Sequence, residues 1–185
     1  FGVAQSIIEW AKYKNIDLKD KTYIIQGLGN VGYNTAKILN DHGMIMLGAG
    51  DHTGYAINTE GLVSTNILDY VKDNNTIDNY DRKLLVDKDT FFSTKCDVII
   101  PAATQLQITG DIANNINCRL IVEGANGPID INADNILFNK NIDIVPDIYA
   151  NGGGVIVSYF EWLQNNNNQY LTEDIILNKL EKKMS

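Results

Sequence analysis

The sequence has few cysteines, no long apolar run and no excess of basic residues. Its two cysteines, Cys96 and Cys118, lie in apolar stretches, which fits buried free thiols better than a disulfide framework. No apolar run approaches the roughly 20 residues that a membrane-spanning helix needs, so we expect no membrane partner. The formal net charge is −8, and nucleic-acid-binding proteins need a basic stripe, so we expect no nucleic-acid partner. No C-x-x-C motif or paired histidines indicate a metal site.

The chain starts at Phe1, without an initiator methionine, and runs directly into a helical period. This start predicts that the chain is a fragment of a larger protein. Its 185 residues are enough for one well-packed domain with an extra helix or two. The two free cysteines are compatible with an intracellular location in the cytoplasm or in an organelle such as a mitochondrion or plastid, and the compartment stays open.

Short apolar strands alternate with helical stretches along the chain. The predicted strands are Thr22–Gln26, Met44–Ala49, Asp97–Pro101, Arg119–Glu123 and Asp143–Pro146. The predicted helices are 3–14, 31–42, 62–71, 109–114, 133–139, 154–163 and 172–183, and residues 52–61 are predicted to be a loop or a small hairpin. This alternation is typical of an α/β fold: a Rossmann-like, doubly wound, mostly parallel sheet with helices on both faces. We expect one dinucleotide-binding domain over 1–185, with C-terminal helices over 154–185.

A glycine-rich motif, G-x-G-x-x-G, follows the first predicted strand. We expect Gly27 to permit a tight turn, Gly29 to let the backbone approach a pyrophosphate, and Gly32 to let the next helix pack on the sheet. The amides of Asn30 and Val31 then lie at the helix N-terminus, where unpaired donors and the helix dipole favour an anion. The alternative is a strand–turn–helix in which the glycines serve packing alone.

Asp51 stands directly after the second predicted strand. A carboxylate at this position can accept hydrogen bonds from the adenosine ribose, and it repels a 2′-phosphate, so we predict NAD as cofactor and NADP as less favoured. His52 follows it, and a charged imidazole there would partly offset that repulsion. The alternative is that Asp51 is only a turn former.

Small or polar residues follow three further strands. They are Ala102, Ala103 and Thr104; the run Gly124–Pro128, which includes Asn126; and residues 147–154, which include Asn151. In open α/β sheets the ligand crevice lies at the carboxyl ends of the strands, so these loops are expected to line one crevice with room for a nicotinamide ring. The alternative is that glycine and asparagine merely form turns.

Several ordered blocks make the sequence similar to the cofactor domain of the glutamate dehydrogenase family, from about Gly2 to Lys182. The blocks are IQGLGNVG at 25–32, EGANGP at 123–128, PDIYANGGGV at 146–155 and VSYFEW at 157–162. The last block looks like the glutamate enzymes rather than their leucine, phenylalanine and valine relatives. Departures are Gln105 and Leu106, where the family often has glutamate and asparagine, and Gly153 in place of alanine.

The resemblance implies reversible NAD(P)-dependent oxidative deamination of L-glutamate to 2-oxoglutarate and ammonia. It implies that Asn126 and Asn151 contact the nicotinamide half of the cofactor, and that Ala102, Ala103 and Thr104 lie along it. Val155 and Ser158 are implied to complete the substrate pocket, with Ser158 donating to the distal carboxylate of glutamate. The catalytic lysine and aspartate are expected in an N-terminal domain outside this chain, so the chain by itself is expected to be inactive. The whole enzyme is implied to be a homo-oligomer, a hexamer.

Two alternatives remain at this point. The first is a leucine, phenylalanine or valine dehydrogenase, which Ser158 and the aromatic run at 159–162 disfavour. The second is a non-catalytic dinucleotide-binding module, although such a module has no need for Asn126, Asn151 and Ser158. For Ser158 itself, the alternative is a helix-interior hydroxyl that bonds its own backbone.

Overall fold

The computed structural model of the chain describes residues 1–152 and 175. The helices predicted at 154–163 and 172–183 therefore lie outside the described residues, apart from Ile175. The predicted substrate-pocket residues Val155 and Ser158 also lie outside them, so the sequence-based predictions about their roles keep that status.

Seven strands and seven helices make up the described part of the chain. The strands are β1 (Thr22–Gln26), β2 (Ile45–Gly50), β3 (Tyr55–Ile57), β4 (Leu85–Val86), β5 (Val98–Pro101), β6 (Leu120–Val122) and β7 (Asp143–Val145). The helices are α1 (Gly2–Lys14), α2 (Asn30–Asp41), α3 (Ser64–Asn74), α4 (Lys88–Ser93), α5 (Gly110–Asn115), α6 (Ile131–Asn139) and α7 (Asp147–Ala150).

The strands form one sheet in the order β4-β3-β2-β1-β5-β6-β7. The five strands from β2 to β7 in this order are parallel, and β3 and β4 are antiparallel at one edge. The chain leaves β1 toward β2 on one side and later returns to β5 on the other side. The carboxyl ends of β1 and β5 therefore flank the switch point, which is where ligands bind in doubly wound sheets.

Helices cover both faces of the sheet because alternate residues of each strand point to opposite sides. Tyr23 and Ile25 of β1 belong to one buried cluster and Ile24 to the other, and β5 and β6 show the same alternation. Helices α1, α2 and α3 contribute to the first cluster, and α4, α5 and α6 contribute to the second. The predicted doubly wound, mostly parallel α/β fold is confirmed.

Three short elements differ from the sequence-based prediction. Neither β4 nor α4 was predicted, because a two-residue strand and a six-residue helix are too short to show a period. The Asp87 side chain nevertheless begins α4 by accepting a hydrogen bond from the Thr90 amide at 2.7 Å. The predicted loop after β7 contains the four-residue helix α7. Residues 52–61 were predicted to be a loop or a small hairpin, and the structure shows a hairpin, because β3 pairs antiparallel with β2.

The ends of two helices differ from the sequence-based prediction, and in each the capping residue marks where the helix begins or ends. Helix α6 begins at Ile131 rather than Ala133 because Asp130 accepts hydrogen bonds from the Asn132 and Ala133 amides at 2.8 and 2.7 Å. Helix α3 spans Ser64–Asn74, later than predicted at both ends, and its C-cap Asn75 adopts the left-handed conformation. These shifts leave the order of the elements unchanged.

Helix α1 is tied to the far edge of the sheet by polar contacts. Trp10 Nε1 donates to Asp143 Oδ2 at 2.8 Å, and Lys14 Nζ pairs with the same oxygen at 2.8 Å. Burial raises the pKa of Asp143, but the hydrogen bonds from Lys14 and Trp10 outweigh that effect, so its pKa lies below the ordinary value. The C-terminal half of α1 is thereby fixed to the first residue of β7.

The described residues include no helix that is both long enough and apolar enough to cross a bilayer. They also include no cluster of three or more histidine, cysteine, aspartate or glutamate residues suited to hold a metal ion. Both thiols are free: Cys96 is buried and Cys118 is half-buried. Burial raises the pKa of Cys96, and it raises the pKa of Cys118 to about 12, so both side chains are neutral thiols at neutral pH.

Candidate cofactor site

The glycine loop between β1 and α2 is shaped by close backbone contacts. Gly27 has a φ of 94°, and a Cβ at this position would lie 2.5 Å from the carbonyl oxygen of Ala102. A Cβ on Gly32 would overlap the carbonyl oxygen of Gly27. Only glycine lets the loop turn tightly against the end of β5 while α2 packs directly on the turn.

The N-terminus of α2 opens toward solvent at Gly29. A Cβ at Gly29 would meet no atom within 4 Å, so the space in front of the loop is empty. No side chain caps the helix and no acidic residue stands in its first turn. The first amides of a helix have no intrahelical partner, so those of Asn30 and Val31 are available to an anion, which the helix dipole favours.

A cavity of about 540 Å³ lies on one side of this helix N-terminus. Its lining includes Asp51 and His52 from the end of β2, as well as Lys72 and Asn75 from the end of α3. The remaining lining residues are Leu28, Gly29, Asn30, Tyr33, Asn34 and Val71. We call this space the first cavity.

Asp51 lines the first cavity, and its two carboxylate oxygens differ in their hydrogen bonding. Its Oδ1 accepts hydrogen bonds from the Thr53 amide at 2.7 Å, the Thr53 hydroxyl at 2.6 Å and the Gly54 amide at 3.2 Å. Its Oδ2 is buried and has no hydrogen-bond partner among the described residues. An unsatisfied buried acceptor costs free energy, so a ligand hydroxyl that donates to Oδ2 would be stabilised.

A second cavity, of about 990 Å³, lies on the other side of the α2 N-terminus. The three strand-end loops of β5, β6 and β7 line it through Ala102–Gln105, Gly124–Asn126 and Ala150–Asn151. Phe1, Gly2, Val3, Asn30, Val31 and Asn34 complete the lining. None of these fifteen side chains is titratable. The described residues that line this cavity can therefore orient a ligand, but they offer no side chain for proton transfer.

The loops after β6 and β7 are joined by hydrogen bonds around Asp147. Glu123 Oε2 accepts from the Asp147 amide at 2.9 Å, and Asp147 Oδ2 accepts from the Gly127 amide at 2.8 Å. Next to this contact, Asn151 Nδ2 donates to Asn126 Oδ1 at 3.3 Å. Burial raises the pKa of Glu123, and the nearby Asp147 carboxylate adds to the shift, although the Asp147 amide opposes it.

A second polar network lies behind Thr104. Gln26 Nε2 donates to Tyr55 Oη at 3.1 Å and to Gln107 Oε1 at 2.8 Å, and Gln107 Nε2 donates to Thr104 Oγ1 at 2.8 Å. Lys88 Nζ also donates to Gln107 Oε1, at 3.2 Å. Burial lowers the pKa of Lys88. The network joins β1, β3 and α4 to the loop that lines the second cavity.

The structure brings the predicted cofactor-binding residues into one continuous region, whereas Val155 and Ser158 lie outside the described residues. Asp51 and His52 line the first cavity; Val31, Ala102, Ala103, Thr104, Asn126 and Asn151 line the second; Gly29 lines the first, and Asn30 lines both. Gly27 and Gly32 shape the loop between the cavities. Sequence reasoning missed Tyr33, Asn34, Lys72, Asn75 and Gln105. Asn34 carried a usable signal, because it lies one helical turn after Asn30, whereas Lys72 and Asn75 come from a distant helix end.

Comparisons with known proteins agree on one family. A family model described as Glutamate/Leucine/Phenylalanine/Valine dehydrogenase matches residues 1–185. The catabolic NAD-specific glutamate dehydrogenase RocG of Bacillus subtilis is 39% identical over 183 residues, which cover 99% of this chain and 43% of that protein. An NAD-specific glutamate dehydrogenase of Staphylococcus aureus is 38% identical over 183 residues, covering 99% of this chain and 44% of that protein.

A solved structure shows the same fold. The hetero-hexameric glutamate dehydrogenase from Thermus thermophilus, in its leucine-bound form, aligns with a TM-score of 0.91 at 26% identity. The alignment covers 99% of this chain and 43% of that chain. The chain therefore spans less than half the length of the proteins that it matches.

Proposed function

The chain belongs to the glutamate/leucine/phenylalanine/valine dehydrogenase family, and from this premise we propose that its two cavities together bind NAD. The adenosine half lies in the first cavity, the pyrophosphate lies at the N-terminus of α2, and the nicotinamide half lies in the second cavity. The cavities adjoin at Asn30 and Asn34, which line both, so one extended ligand can occupy them together.

The free Oδ2 of Asp51 is the observation that carries the proposal. This buried oxygen lacks a partner, and a ribose hydroxyl of NAD supplies the missing donor. A 2′-phosphate in the same place would bring negative charge against the carboxylate, so NADP binds less tightly. Lys72 lines the same cavity, and its positive charge reduces this repulsion without supplying a ribose acceptor. The relatives from Bacillus subtilis and Staphylococcus aureus are both named NAD-specific.

The remaining residues hold and orient the rest of the cofactor. The amides of Asn30 and Val31 bind the pyrophosphate, Ala102, Ala103 and Thr104 lie along the dinucleotide, and the amides of Asn126 and Asn151 bind the nicotinamide half. Bound NAD supplies the hydride acceptor, which is chemistry that no side chain offers. The small residues around the second cavity leave room for the ring and hold it in one orientation.

For the whole protein we propose reversible oxidative deamination of L-glutamate. Glutamate, NAD⁺ and water give 2-oxoglutarate, ammonium, NADH and one proton: the α-carbon loses a hydride, and water then replaces the nitrogen as the carbonyl oxygen. Proton transfer in these steps needs titratable groups, and the described residues that line the second cavity include no titratable side chain. We assign those groups, a lysine and an aspartate, to the part of the protein outside this chain.

The substrate pocket and the assembly complete the proposal. Val155 and Ser158 contact the substrate, and the Ser158 hydroxyl donates to the distal carboxylate, as the family resemblance implies. The whole protein assembles as a homo-oligomer, a hexamer. The relative from Thermus thermophilus is described as hetero-hexameric, which supports assembly in the family.

Titration calorimetry of the purified 185-residue chain with NAD and with NADP tests the cofactor assignment. We expect NAD to bind, and to bind more tightly than NADP. Equal or tighter binding of NADP would contradict the role of Asp51, and an absence of binding to either would contradict the cofactor site.

Activity assays test the substrate. The whole protein is expected to reduce NAD with glutamate in preference to leucine or phenylalanine, and the 185-residue chain is expected to bind NAD without turnover. A preference for leucine or phenylalanine would place the protein on another branch of the family, and turnover by the chain alone would show that it carries its own proton-transfer groups.

A further inference from the structure

We propose that Glu123 and Asp147 are positioning residues, which set the spacing between Asn126 and Asn151 by fastening the loop after β6 to the start of α7. The inference rests on the proposed function, in which those two asparagines contact the nicotinamide half of NAD. Neither carboxylate lines the second cavity itself. Their effect on the ligand therefore passes through the backbone of the two loops.

Asp147 contacts the residue that follows Asn126, and it contacts Asn151 itself. Its Oδ2 accepts from the amide of Gly127, the residue directly after Asn126, at 2.8 Å. Its backbone carbonyl accepts from the Asn151 amide at 2.7 Å. Gly127 has a φ of 50°, so the loop turns sharply just where the carboxylate holds it. A single residue thus fixes the backbone on either side of the Asn126–Asn151 contact.

Glu123 holds Asp147 in turn. It is only 8% exposed at the end of β6, and its Oε2 accepts from the Asp147 amide at 2.9 Å. Its own amide donates to the carbonyl of Val145, at the end of β7, at 3.0 Å. The side chain and the backbone of Glu123 therefore bind the same neighbouring strand end. This double contact ties the first residue of α7 to the sheet.

The two carboxylates differ in how many of their oxygens accept hydrogen bonds. Asp147 uses both, because Oδ1 accepts from the Ile148 amide at 2.6 Å while Oδ2 accepts from Gly127. An asparagine at 147 would turn an NH₂ group toward one of these amides, with donor facing donor. Glu123 uses one oxygen toward the described residues, so a glutamine keeps the acceptor that the contact needs.

This difference in hydrogen bonding lets an experiment distinguish a positioning role of the two carboxylates from an effect of their negative charge. Two negative charges near the nicotinamide half would also attract its positively charged ring through space. If charge were the cause, replacing either carboxylate by its amide would weaken NAD binding similarly. If geometry is the cause, Asp147→Asn weakens binding and Glu123→Gln largely preserves it. Asp134→Asn is a charge control, because the Asp134 carboxylate acts on Glu123 through space but makes no hydrogen bond to the described residues.

The experiment compares NAD with ADP-ribose, which has the adenosine and pyrophosphate groups but no nicotinamide. Calorimetric Kd values are measured for the wild-type chain and for Asp147→Asn, Glu123→Leu, Glu123→Gln and Asp134→Asn. For Asp147→Asn and Glu123→Leu we expect the Kd for NAD to rise about tenfold and the Kd for ADP-ribose to change less than about twofold. Glu123→Gln is expected to rescue most of the NAD affinity lost in Glu123→Leu.

Each other outcome overturns the inference in a recognisable way. Equal loss of NAD and ADP-ribose affinity in Asp147→Asn would show general damage to the fold, which thermal melts monitored by circular dichroism would also reveal. Equal loss in Asp147→Asn, Glu123→Gln and Asp134→Asn would show a charge effect. Wild-type affinity in both Asp147→Asn and Glu123→Leu would show no role at all. A wild-type chain that binds neither ligand would contradict the proposed function itself. If Asp147→Asn does not fold, Glu123→Leu and Glu123→Gln test the inference by themselves. A glutamine that restores no NAD affinity relative to leucine would then overturn it.

Discussion

Thr53 holds the Asp51 carboxylate by two hydrogen bonds to the same oxygen, from its amide at 2.7 Å and from its hydroxyl at 2.6 Å. The other oxygen of Asp51 is left buried and without a partner among the described residues. The Thr53 hydroxyl also lies 2.9 Å from the Thr76 hydroxyl, which donates to Asp78 at 2.7 Å. The orientation of the proposed ribose acceptor is therefore fixed by a neighbour that need not contact the ligand.

Replacing Thr53 by valine tests this orientation. The change keeps the shape of the side chain but removes the 2.6 Å hydrogen bond, so the carboxylate gains freedom to turn. We expect the Kd of the chain for NAD to rise about three- to tenfold, the size that corresponds to the net contribution of one hydrogen bond of ordinary strength. Thr53→Ser keeps the hydroxyl and should bind NAD nearly as well as the wild type.

Thr76→Val is the matched control for Thr53→Val. It removes the Thr76 hydroxyl, which lies next to the Thr53 hydroxyl and donates to Asp78, and it leaves both Thr53–Asp51 hydrogen bonds in place. Its affinity for NAD should stay within about twofold of the wild type, on the scale of a weakened neutral hydrogen bond. If Thr76→Val loses as much affinity for NAD as Thr53→Val does, the stability of the loop governs binding rather than the orientation of the Asp51 carboxylate.

Replacing Asp51 by serine should change cofactor preference as well as affinity. The variant loses the charged acceptor for the ribose hydroxyls, so the Kd for NAD is expected to rise about tenfold or more. It also loses the charge that repels a 2′-phosphate, while His52 and Lys72 remain in the cavity. The Kd ratio of NADP to NAD, measured by calorimetry, should therefore fall toward one. An unchanged ratio would mean that Asp51 does not discriminate between the two cofactors.

The parallel core of the fold was predictable because its signals are local. Buried strands such as Ile24–Ile25 and Ile99–Ile100 are short apolar runs, and the glycine loop marks where the chain turns from β1 into α2. The antiparallel edge was harder to predict, because β4 has two residues and is held by pairing with β3, a contact that the sequence alone does not display. Helix α7 was missed for a similar reason, since four residues carry no period.

The candidate site likewise contains residues that local sequence signals predicted and residues that only tertiary packing brings there. Residues that follow strands directly, such as Asp51 and Asn126, were found because the carboxyl ends of parallel strands share one edge of the sheet. Lys72 and Asn75 were missed because tertiary packing, rather than sequence, brings the end of α3 to the first cavity. Glu123 was visible within its motif, but its contact with Asp147 spans 24 residues and depends on the register of β6 with β7.

Two glycines of the loop should separate stability from binding. In Gly29→Ala the new methyl group meets no protein atom within 4 Å, so the melting temperature should stay equal to that of the wild type or rise slightly. The methyl group stands where we place the pyrophosphate, so the affinities for NAD and for ADP-ribose should both fall. Wild-type affinity in this variant would place the pyrophosphate elsewhere.

Gly32→Ala is expected to behave in the opposite way. Its methyl group would overlap the carbonyl oxygen of Gly27, a backbone atom that cannot move without opening the turn. Overpacking of this kind costs about 1–3 kcal/mol, so the free energy of unfolding in urea should fall by that amount. A Gly32→Ala chain as stable as the wild type would show that the turn relaxes easily.

The contact of Asp143 with Lys14 and Trp10 should make stability depend on pH. Because these partners hold the pKa of Asp143 below its ordinary value of 3.8, the contact stabilises the fold fully above that value. The stabilisation is lost as the pH falls through the lower, folded-state pKa. Asp143→Asn should therefore lower the melting temperature at pH 7 by about 1–3 °C, the size expected for a solvent-screened contact in a chain of this length. The difference from the wild type should shrink as the pH falls below about 4.

Asp69→Asn is the control for this pH dependence. Asp69 is exposed on α3, and its carboxylate makes no hydrogen bond or ion pair with the described residues, so its replacement changes the net charge without breaking a contact. Melting curves of both variants and the wild type, recorded between pH 3 and pH 8, distinguish the two effects. If Asp69→Asn shifts the curve as much as Asp143→Asn, the change comes from net charge. If Asp143→Asn still melts below the wild type by the same number of degrees at pH 3, the ionised carboxylate of Asp143 is not what stabilises the contact between α1 and β7.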